Sequence, residues 1–156
     1  MFCITIPGHE KFEFHHLVLD YNGTIAHDGH LIAGVAERLE LLSHQMTIDV
    51  ITADTHGSAD EQLSELPIEV TVIPYHNQYQ AKFDHVVEEG ADGIVAIGNG
   101  YNDHLMLKEV ALGIAVMQKE GIAINTLQSA DILVPDILAA LDLLLKPKRL
   151  IATLRN

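Results

Sequence analysis

Short apolar runs alternate along the chain with longer stretches in which apolar residues recur at helical spacing. The clearest runs are Leu17 to Leu19 and Ile94 to Ile97, and the run from Ile48 to Ile51 is interrupted only by Asp49, so that all three are short, as buried strands are. Strands separated by helical stretches of 10–15 residues are typical of βαβ units. The sequence therefore predicts an α/β fold, a doubly wound and mainly parallel sheet with helices on both faces.

This pattern predicts elements along the whole chain. Strands are expected at 17–19, 48–51, 68–73, 94–97, 112–117 and 132–134. Helices are expected at 32–45, from Asp54 or Thr55 through 66, at 79–89, from a cap at Asn102 through 110, at 122–127, at 137–145, and from Pro147 through 154. Residues 2–6 and 12–14, which flank Pro7-Gly8, predict an extra N-terminal β-ribbon ahead of the first core strand.

Composition narrows the classes of protein to which the chain can belong. Its 156 residues predict a single domain spanning 1–156, with no internal repeat or linker. No apolar run approaches the length of a membrane span, the first residues lack the features of a signal peptide, and Cys3 is the only cysteine. A cytoplasmic protein is expected. The net charge of −13, with only 9 Lys and Arg residues, argues against nucleic acid or an anionic membrane as a partner.

A carboxylate follows the first core strand directly. Asp20 comes after Leu17 to Leu19, and it is followed by an Asn22-Gly23 turn and the Thr24 hydroxyl. Open α/β sheets bind ligands at the carboxyl ends of their strands, so Asp20 could be a nucleophile that faces a phosphate. The alternative is an ordinary turn, since Asn-Gly is also a strong hairpin signal.

Other polar residues follow the later strands at the same edge of the predicted sheet. Thr52 and Asp54 follow the second strand, Lys82 lies at a helix start beyond the third, and Gly98 to Asp103 follow the fourth. Because the loops after successive parallel strands meet, these residues and Asp20 should lie close together. They would supply a carboxylate, a hydroxyl, a cation and an oxygen-rich loop.

These four segments, in this order, resemble the four motifs of the haloacid-dehalogenase-like phosphohydrolase superfamily. Asp20 to Thr24 is similar to Asp-x-Asp-Gly-Thr, and Gly98 to Asp103 is similar to Gly-Asp-Gly-x-Asn-Asp, with Thr52 and Lys82 as the second and third motifs. Within the superfamily the chain resembles small soluble proteins that are similar to the phosphorylation domain of P-type ATPases. Thr52-Ala53-Asp54 and the strand Gly113 to Val116 carry this likeness.

The resemblance implies a magnesium-dependent phosphohydrolase or phosphotransferase that acts through an aspartyl phosphate. Asp20 would be the nucleophile, and the site residues fall into three groups. The catalytic residues would be Asp20, Asn22, Thr52 and Lys82. The residues that hold substrate or phosphate would be Gly23 and Thr24, with the backbone N–H groups near them, Thr52, Ala53, Lys82 and Asn102. Mg²⁺ would be held by Asp20, the Asn22 carbonyl, Asn99 and Asp103.

Two amides depart from the superfamily pattern. Asn22 stands where the phosphatases carry a general acid/base Asp, and it cannot donate or accept the proton, a loss of about 10²–10⁴ in rate. Asn99 replaces the carboxylate that would bind the metal, so Mg²⁺ should bind more weakly. A slow enzyme is therefore expected. The rival hypothesis is a non-catalytic or regulatory module that binds phosphate or nucleotide and acts through a partner.

The motif spacing leaves no room for a cap domain on either side of Thr52. An open site would accept a bulky phosphorylated substrate or phosphoryl donor, or would be covered by another subunit. The Leu-rich segment from Leu138 to Leu154 is expected to be mainly core, and part of it could mediate homo-oligomer formation. Four histidines on the predicted active-site loops are candidates for substrate contact, namely His27, His30, His56 and His104.

Overall fold

The computed structural model describes residues 1–54 and 57–156. Its strands are β1 Phe2–Thr5, β2 Lys11–Phe14, β3 His16–Asp20, β4 Ala26–His27, β5 His30–Leu31, β6 Thr47–Thr52, β7 Glu69–Val72, β8 Ile94–Gly98, β9 Leu112–Val116 and β10 Ile132–Val134. Its α-helices are α1 Val35–Ser43, α2 Ser58–Leu63, α3 Gln78–Glu88, α4 His104–Glu109, α5 Ile124–Ser129, α6 Ile137–Leu145 and α7 Pro147–Leu154. Short 3₁₀ turns precede β8 and α4, at Ala91–Gly93 and Tyr101–Asp103.

The central sheet contains six parallel strands in the order β10-β9-β8-β3-β6-β7. From β3 the chain moves outward through β6 and β7, then returns to the other side of β3 with β8 and continues outward to β10. The strand order therefore reverses between β3 and β8. Such a switch point opens a crevice at the carboxyl ends of the two strands, which here end at Asp20 and Gly98. The doubly wound fold predicted from the sequence is confirmed.

Alternate residues of the strands face two separate cores. Leu17 and Leu19 of β3 belong to the larger core, whereas Val18 between them belongs to the smaller one. The larger core includes residues of α1, α6, α7 and the ribbon β1–β2, and the smaller core includes residues of α3 and α4. Both faces of the sheet are thus covered, which explains why the central strands are apolar almost throughout rather than at alternate positions.

Most predicted elements match the structure to within a few residues, and the early end of α2 has a local cause. α2 ends at Leu63 rather than at 66, because Pro67 disfavours helical geometry at the residue before it. Asp54 hydrogen-bonds the first turn of α2, as predicted for a residue at the helix start. Its Oδ2 accepts from Ser58 Oγ at 2.5 Å and from Ala59 N at 3.1 Å. The alternative cap, Thr55, lies outside the described residues.

The expected N-terminal ribbon is present as the antiparallel pair β1–β2, which packs on the larger core. A second hairpin, β4–β5, follows the first motif and turns at Asp28 and Gly29, both of which have positive φ. In the part of the chain that the structure describes, this hairpin and α1 occupy the interval from Thr24 to Thr52. No cap domain is inserted there.

The Leu-rich segment is core. Leu141, Leu144 and Leu150 are buried, and Leu138, Leu143, Leu145 and Leu154 pack against the same core. The segment is therefore mainly core, as expected, and a homo-oligomer stays a prediction. Among the described residues, none of the helices combines the length and the apolar character that crossing a membrane requires.

Candidate active site

A cavity of about 360 Å³ opens at the switch point, above the carboxyl ends of β3, β6 and β8. It is lined by Asp20, Asn22, Thr52, Ala53, Asp54, Tyr75, Gln78, Asn99, Gly100, Asn102 and Glu120. A larger depression of about 590 Å³ lies at the opposite edge, beside Thr47 and Ile48 at the start of β6. The chemistry of open α/β sheets takes place at the carboxyl edge, so the smaller cavity is the candidate active site.

Asp20 ends β3 and is 7 % exposed. Its Oδ1 accepts from Lys82 Nζ at 2.6 Å, and its Oδ2 accepts from Thr24 Oγ1 at 2.9 Å. Burial, followed by the nearby charge of Asp103, raises the pKa of Asp20 to about 6, against the opposing effects of Lys82 and Thr24. A largely buried carboxylate that is positioned by two donors and lies at the edge of a cavity is suited to nucleophilic attack.

Lys82 links the two buried carboxylates of the site. It lies in the first turns of α3, is 1 % exposed, and its ammonium group also donates to Asp103 Oδ1 at 2.6 Å. Burial by itself lowers the pKa of Lys82, but the charges of Asp103 and Asp20 outweigh it and the pKa lies above its ordinary value. Lys82 is therefore a permanent cation beside the Asp20 carboxylate.

Asp103 is fully buried and uses both of its carboxylate oxygens. Oδ1 accepts from Lys82, and Oδ2 accepts from the backbone N–H groups of Asn99 and Gly100, each at 3.0 Å. This occupancy favours a positioning role over the predicted role in metal binding. Asp103 holds Lys82 and shapes the loop that follows β8.

Thr52 and Ala53 follow β6 and line the cavity opposite the loop after β8. Thr52 is 4 % exposed, and its Oγ1 accepts from Asp54 N at 3.0 Å. This turn brings the hydroxyl to the edge of the same cavity as Asp20, where it can donate to an oxyanion.

The loop after β3 departs from expectation. Gly23 N donates to Ala26 O at 2.9 Å and Thr24 N donates to Tyr21 O at 3.2 Å. These N–H groups are engaged within the loop, so they are not available for the predicted contact with phosphoryl oxygens. Instead, the Thr24 side chain serves the site by its hydrogen bond to Asp20.

Asn99 is placed with its amide oxygen toward Asp20. Its Nδ2 donates to Gly121 O at 3.1 Å, which leaves Oδ1 facing the Thr24 hydroxyl at 3.4 Å, and the same hydroxyl bonds Asp20 Oδ2. The side-chain oxygens of Asp20 and Asn99 thus lie on either side of the Thr24 hydroxyl, and both are of the type that a hard cation prefers. Asn22, whose carbonyl was the third predicted ligand, lines the same cavity.

The loop after β9 belongs to the site, although the motifs gave no sign of it. Gln118 Nε2 donates to Thr24 O, and Glu120 Oε1 lies 3.6 Å from His27 Nδ1. A Cβ at Gly23, where φ is +80°, would lie 2.5 Å from Glu120 Oε2 and 3.0 Å from the Asn99 amide. Glu120 thus brings a carboxylate to the amide at position 99. Since this loop also follows a parallel strand, the strand-end rule could have identified it from the sequence.

Asn102 does not cap α4 as predicted. Its Oδ1 accepts from Lys82 Nζ at 3.4 Å, and its Nδ2 donates to Gln78 Oε1 at 2.7 Å. Asp103, whose carboxylate bonds the backbone of the preceding turn, supplies the helix start instead. Of the candidate histidines, His27 lies beside Glu120 and His104 packs on Tyr101, while His56 lies outside the described residues.

The donor set fits a hard divalent cation only in part. Asp20, the Asn22 carbonyl and Asn99 supply oxygen, as Mg²⁺ requires, and Glu120 adds a second carboxylate. Among the described residues, however, no three His, Cys, Asp or Glu side chains form a group able to hold a metal. A cation here would depend on amide and backbone oxygens and on the oxygens of a bound phosphate.

Sequence comparison identifies two relatives in Methanocaldococcus jannaschii, both uncharacterized, and no family model matches the chain. The protein MJ0073 is 56% identical over 63 residues, which is 40% of this chain and 68% of that protein. The protein MJ0072 is 49% identical over 39 residues, which is 25% of this chain and 89% of that protein.

Solved structures show the fold. The 3-deoxy-D-manno-octulosonate 8-phosphate phosphatase from Moraxella catarrhalis, in complex with magnesium, phosphate and KDO, superposes with a TM-score of 0.72 at 17% identity, over 91% of this chain and 94% of that one. The cobalt-bound form of the corresponding phosphatase from Haemophilus influenzae superposes with a TM-score of 0.71 at 12% identity, over 92% of this chain and 94% of that one. A structure from Legionella pneumophila, described as a hydrolase of subfamily III A of the same superfamily, superposes with a TM-score of 0.68 at 18% identity, over 90% of this chain and 87% of that one. The chain has the haloacid-dehalogenase-like fold.

Proposed function

We propose that this chain, which belongs to the same family as MJ0073 and has the haloacid-dehalogenase-like fold, is a slow phosphohydrolase with Asp20 as its nucleophile. The observation that carries the proposal is the group formed by Asp20, Lys82, Thr24 and Asp103 at the switch point. There a buried carboxylate accepts from a buried cation and a buried hydroxyl, and both donors are held in place by further contacts. A merely structural ion pair would not require a cavity at its open side.

In the first half-reaction, an Asp20 carboxylate oxygen attacks phosphorus and the bond from phosphorus to the leaving oxygen breaks. Asp20 becomes an aspartyl phosphate, and the leaving group departs as an alcohol. Its proton comes from water, because the Asn22 amide has none to give at this point. In the second half-reaction, water attacks the same phosphorus, inorganic phosphate leaves, and the Asp20 carboxylate is restored.

The remaining side chains stabilise charge and orient groups. Lys82 offsets the negative charge that the nucleophile and the phosphoryl group bring together, and Thr52 donates to a phosphoryl oxygen from the opposite side of the cavity. Mg²⁺, held by Asp20, the Asn22 carbonyl and Asn99, would supply a positive charge to the equatorial oxygens. The Asn22 side chain cannot deprotonate the water that attacks the phosphoenzyme. Hydrolysis of the phosphoenzyme should therefore be slow, and the phosphoenzyme long-lived.

Phosphoenzyme trapping tests the proposal. The protein is incubated with acetyl phosphate and Mg²⁺, reduced with borohydride and mapped by peptide mass spectrometry, with Asp20→Asn and Asp49→Asn as parallel variants. Label on Asp20, lost in Asp20→Asn and kept in Asp49→Asn, is the expected result. Label on another carboxylate, or no label on intact Asp20, would overturn the assignment.

The two amides support one alternative, a regulatory module that binds phosphate and acts through a partner. Asn22 and Asn99 both lower catalytic competence while leaving the cavity intact. Under this alternative, phosphate binds to the wild-type protein but neither half-reaction occurs. Calorimetric phosphate binding without any label at Asp20 would favour it.

A further inference from the structure

A second depression of about 400 Å³ adjoins the candidate active site. Four of its lining residues, Tyr75, Gln78, Gly100 and Asn102, also line the cavity above Asp20. The remaining lining residues are Asn77, Tyr79 and Tyr101. The two spaces therefore adjoin each other, and the leaving group of a molecule whose phosphate lies at Asp20 can reach the second one. We call this second space the tyrosine groove.

Aromatic rings are concentrated at this groove. The chain has 4 Tyr and no Trp, and three of the tyrosines line it. Tyr75 is 71% exposed and Tyr101 is 55% exposed, although tyrosine rings are normally better covered. Tyr79 and Tyr101 meet edge to face with centroids 6.4 Å apart, and His104 packs on Tyr101 at 4.6 Å. These contacts hold the rings in place while leaving surface open for a ligand.

The groove is coupled to the phosphate site by hydrogen bonds. Lys82 Nζ donates to Asn102 Oδ1, Asn102 Nδ2 donates to Gln78 Oε1, and Gln78 Nε2 donates to Tyr75 O at 3.0 Å. The loop that carries Tyr75 is thus tied to the cation beside the nucleophile. The backbone that carries the Tyr75 ring is therefore positioned relative to the phosphate site.

The polarity of the groove limits what can bind in it. Its lining side chains, as far as the structure describes them, are aromatic rings and neutral amides, without a charged group. This lining does not suit a second phosphate or a carboxylate. It suits a flat neutral ring that stacks on tyrosine and offers donors and acceptors at its edge to Asn77, Gln78 or Asn102. A nucleobase has both properties, and base stacking on aromatic side chains does not depend on which base is present.

We propose that the tyrosine groove binds the base of a nucleoside monophosphate whose phosphate lies at Asp20. The proposal rests on the function proposed above, since it names the leaving group of that same site. The two adjoining spaces together fall within the size range of small-molecule sites.

A matched pair of substrates tests the groove. Adenosine 5′-monophosphate carries the base where ribose 5-phosphate carries its anomeric hydroxyl, so the ratio of their kcat/KM values reports the contribution of the base. We expect the wild-type protein to prefer the nucleotide by about tenfold or more, the usual size of one stacking contact. Tyr75→Ala and Tyr101→Ala should bring the ratio close to one through KM, whereas Tyr75→Phe and Tyr101→Phe should keep it. Leu41→Ala, which changes an exposed apolar residue of α1 outside the groove, should not alter it.

Equilibrium binding keeps the test independent of turnover. Calorimetry with Asp20→Asn should give a lower Kd for adenosine 5′-monophosphate than for ribose 5-phosphate, and Tyr101→Ala in that background should remove the difference. Equal affinity for the two compounds, or a preference for the sugar phosphate, would overturn the groove proposal even if Asp20 is phosphorylated. Base-dependent binding without phosphorylation of Asp20 in the wild-type protein would instead support the groove and refute the hydrolase.

Discussion

Lys82 Nζ lies 2.6 Å from Asp20 Oδ1, and both side chains are buried. The pair joins α3 to the end of β3 across an interval of 62 residues. With Asp103 as the second carboxylate, this group of three buried side chains carries one more negative than positive charge. Such a group is stabilising only while its members remain paired, because an unpaired buried charge costs several kcal/mol.

Lys82→Met should therefore destabilise the fold strongly. Two buried carboxylates would lose their cation, and we expect a loss of about 3–5 kcal/mol in the free energy of unfolding, measured by urea denaturation at neutral pH. Lys146→Ala, which breaks an exposed pair with Asp142, is the control and should cost less than about 1 kcal/mol. Adding Asp20→Asn to Lys82→Met should recover part of the loss. If Lys82→Met and Lys146→Ala lower the free energy of unfolding equally, Lys82 does not stabilise the two buried carboxylates.

Asn22→Asp should raise the turnover of an aryl phosphate by about 100-fold, because it restores a proton donor and acceptor at the cavity. Asn125→Asp on exposed α5 adds the same charge elsewhere and should have no effect. Since Asn22 and Asn99 both precede Gly, deamidation in storage would create Asp, and peptide mapping of fresh protein must exclude it. Wild-type turnover equal to that of the variant would show that another acid, such as Asp54, supplies the proton.

Glu120→Gln should weaken the binding of a divalent cation by about tenfold, because it removes the carboxylate beside Asn99. Titration with Mn²⁺, followed by electron paramagnetic resonance, measures this without any substrate. Asn99→Asp should tighten Mn²⁺ binding and reduce the effect of Glu120→Gln, since each supplies a charged oxygen to the same place. Glu109→Gln on α4 is the charge-matched control. If Glu120→Gln and Glu109→Gln behave alike, Glu120 has no part in cation binding.

A separate buried pair should make stability depend on pH. His85 Nε2 lies 2.6 Å from Asp49 Oδ2, and Asp49 raises the pKa of His85 above its ordinary value of 6.5. The protonated imidazole is thus favoured in the folded state. Its contribution is complete below pH 6.5 and is lost as the pH rises through the higher folded pKa.

The difference in unfolding free energy between the wild-type protein and His85→Gln should consequently shrink as the pH rises from 6 to 8. Burial lowers the pKa of nearby His16, which contributes in the opposite direction and is present in both proteins. Exposed His30→Gln serves as the control. A difference that is constant or grows over this range would contradict the pairing.

Much of the fold could be predicted because its signals are local. The apolar runs at β3 and β8 and the helical spacing of α6 reflect burial on both faces of a sheet, and burial leaves its pattern in the residues of one element. The position of Asp20 at a strand end is equally local. The predicted helix boundaries near Asp54 and Asn102 were less accurate, because capping depends on which side chain turns back to the helix.

The chain's sequence by itself determined the doubly wound sheet and the order of the motif residues along its carboxyl edge, since both follow from periodicity and strand ends. Only the tertiary structure decided what each residue does there. In the structure, the N–H groups of Gly23 and Thr24 bond within their own loop, and Asp103 accepts a hydrogen bond from Lys82. Glu120 lies near Asn99, and three tyrosines line the groove beside the cavity. The physical reason is that these contacts join residues from different loops, and their distances depend on how the whole sheet and its helices pack.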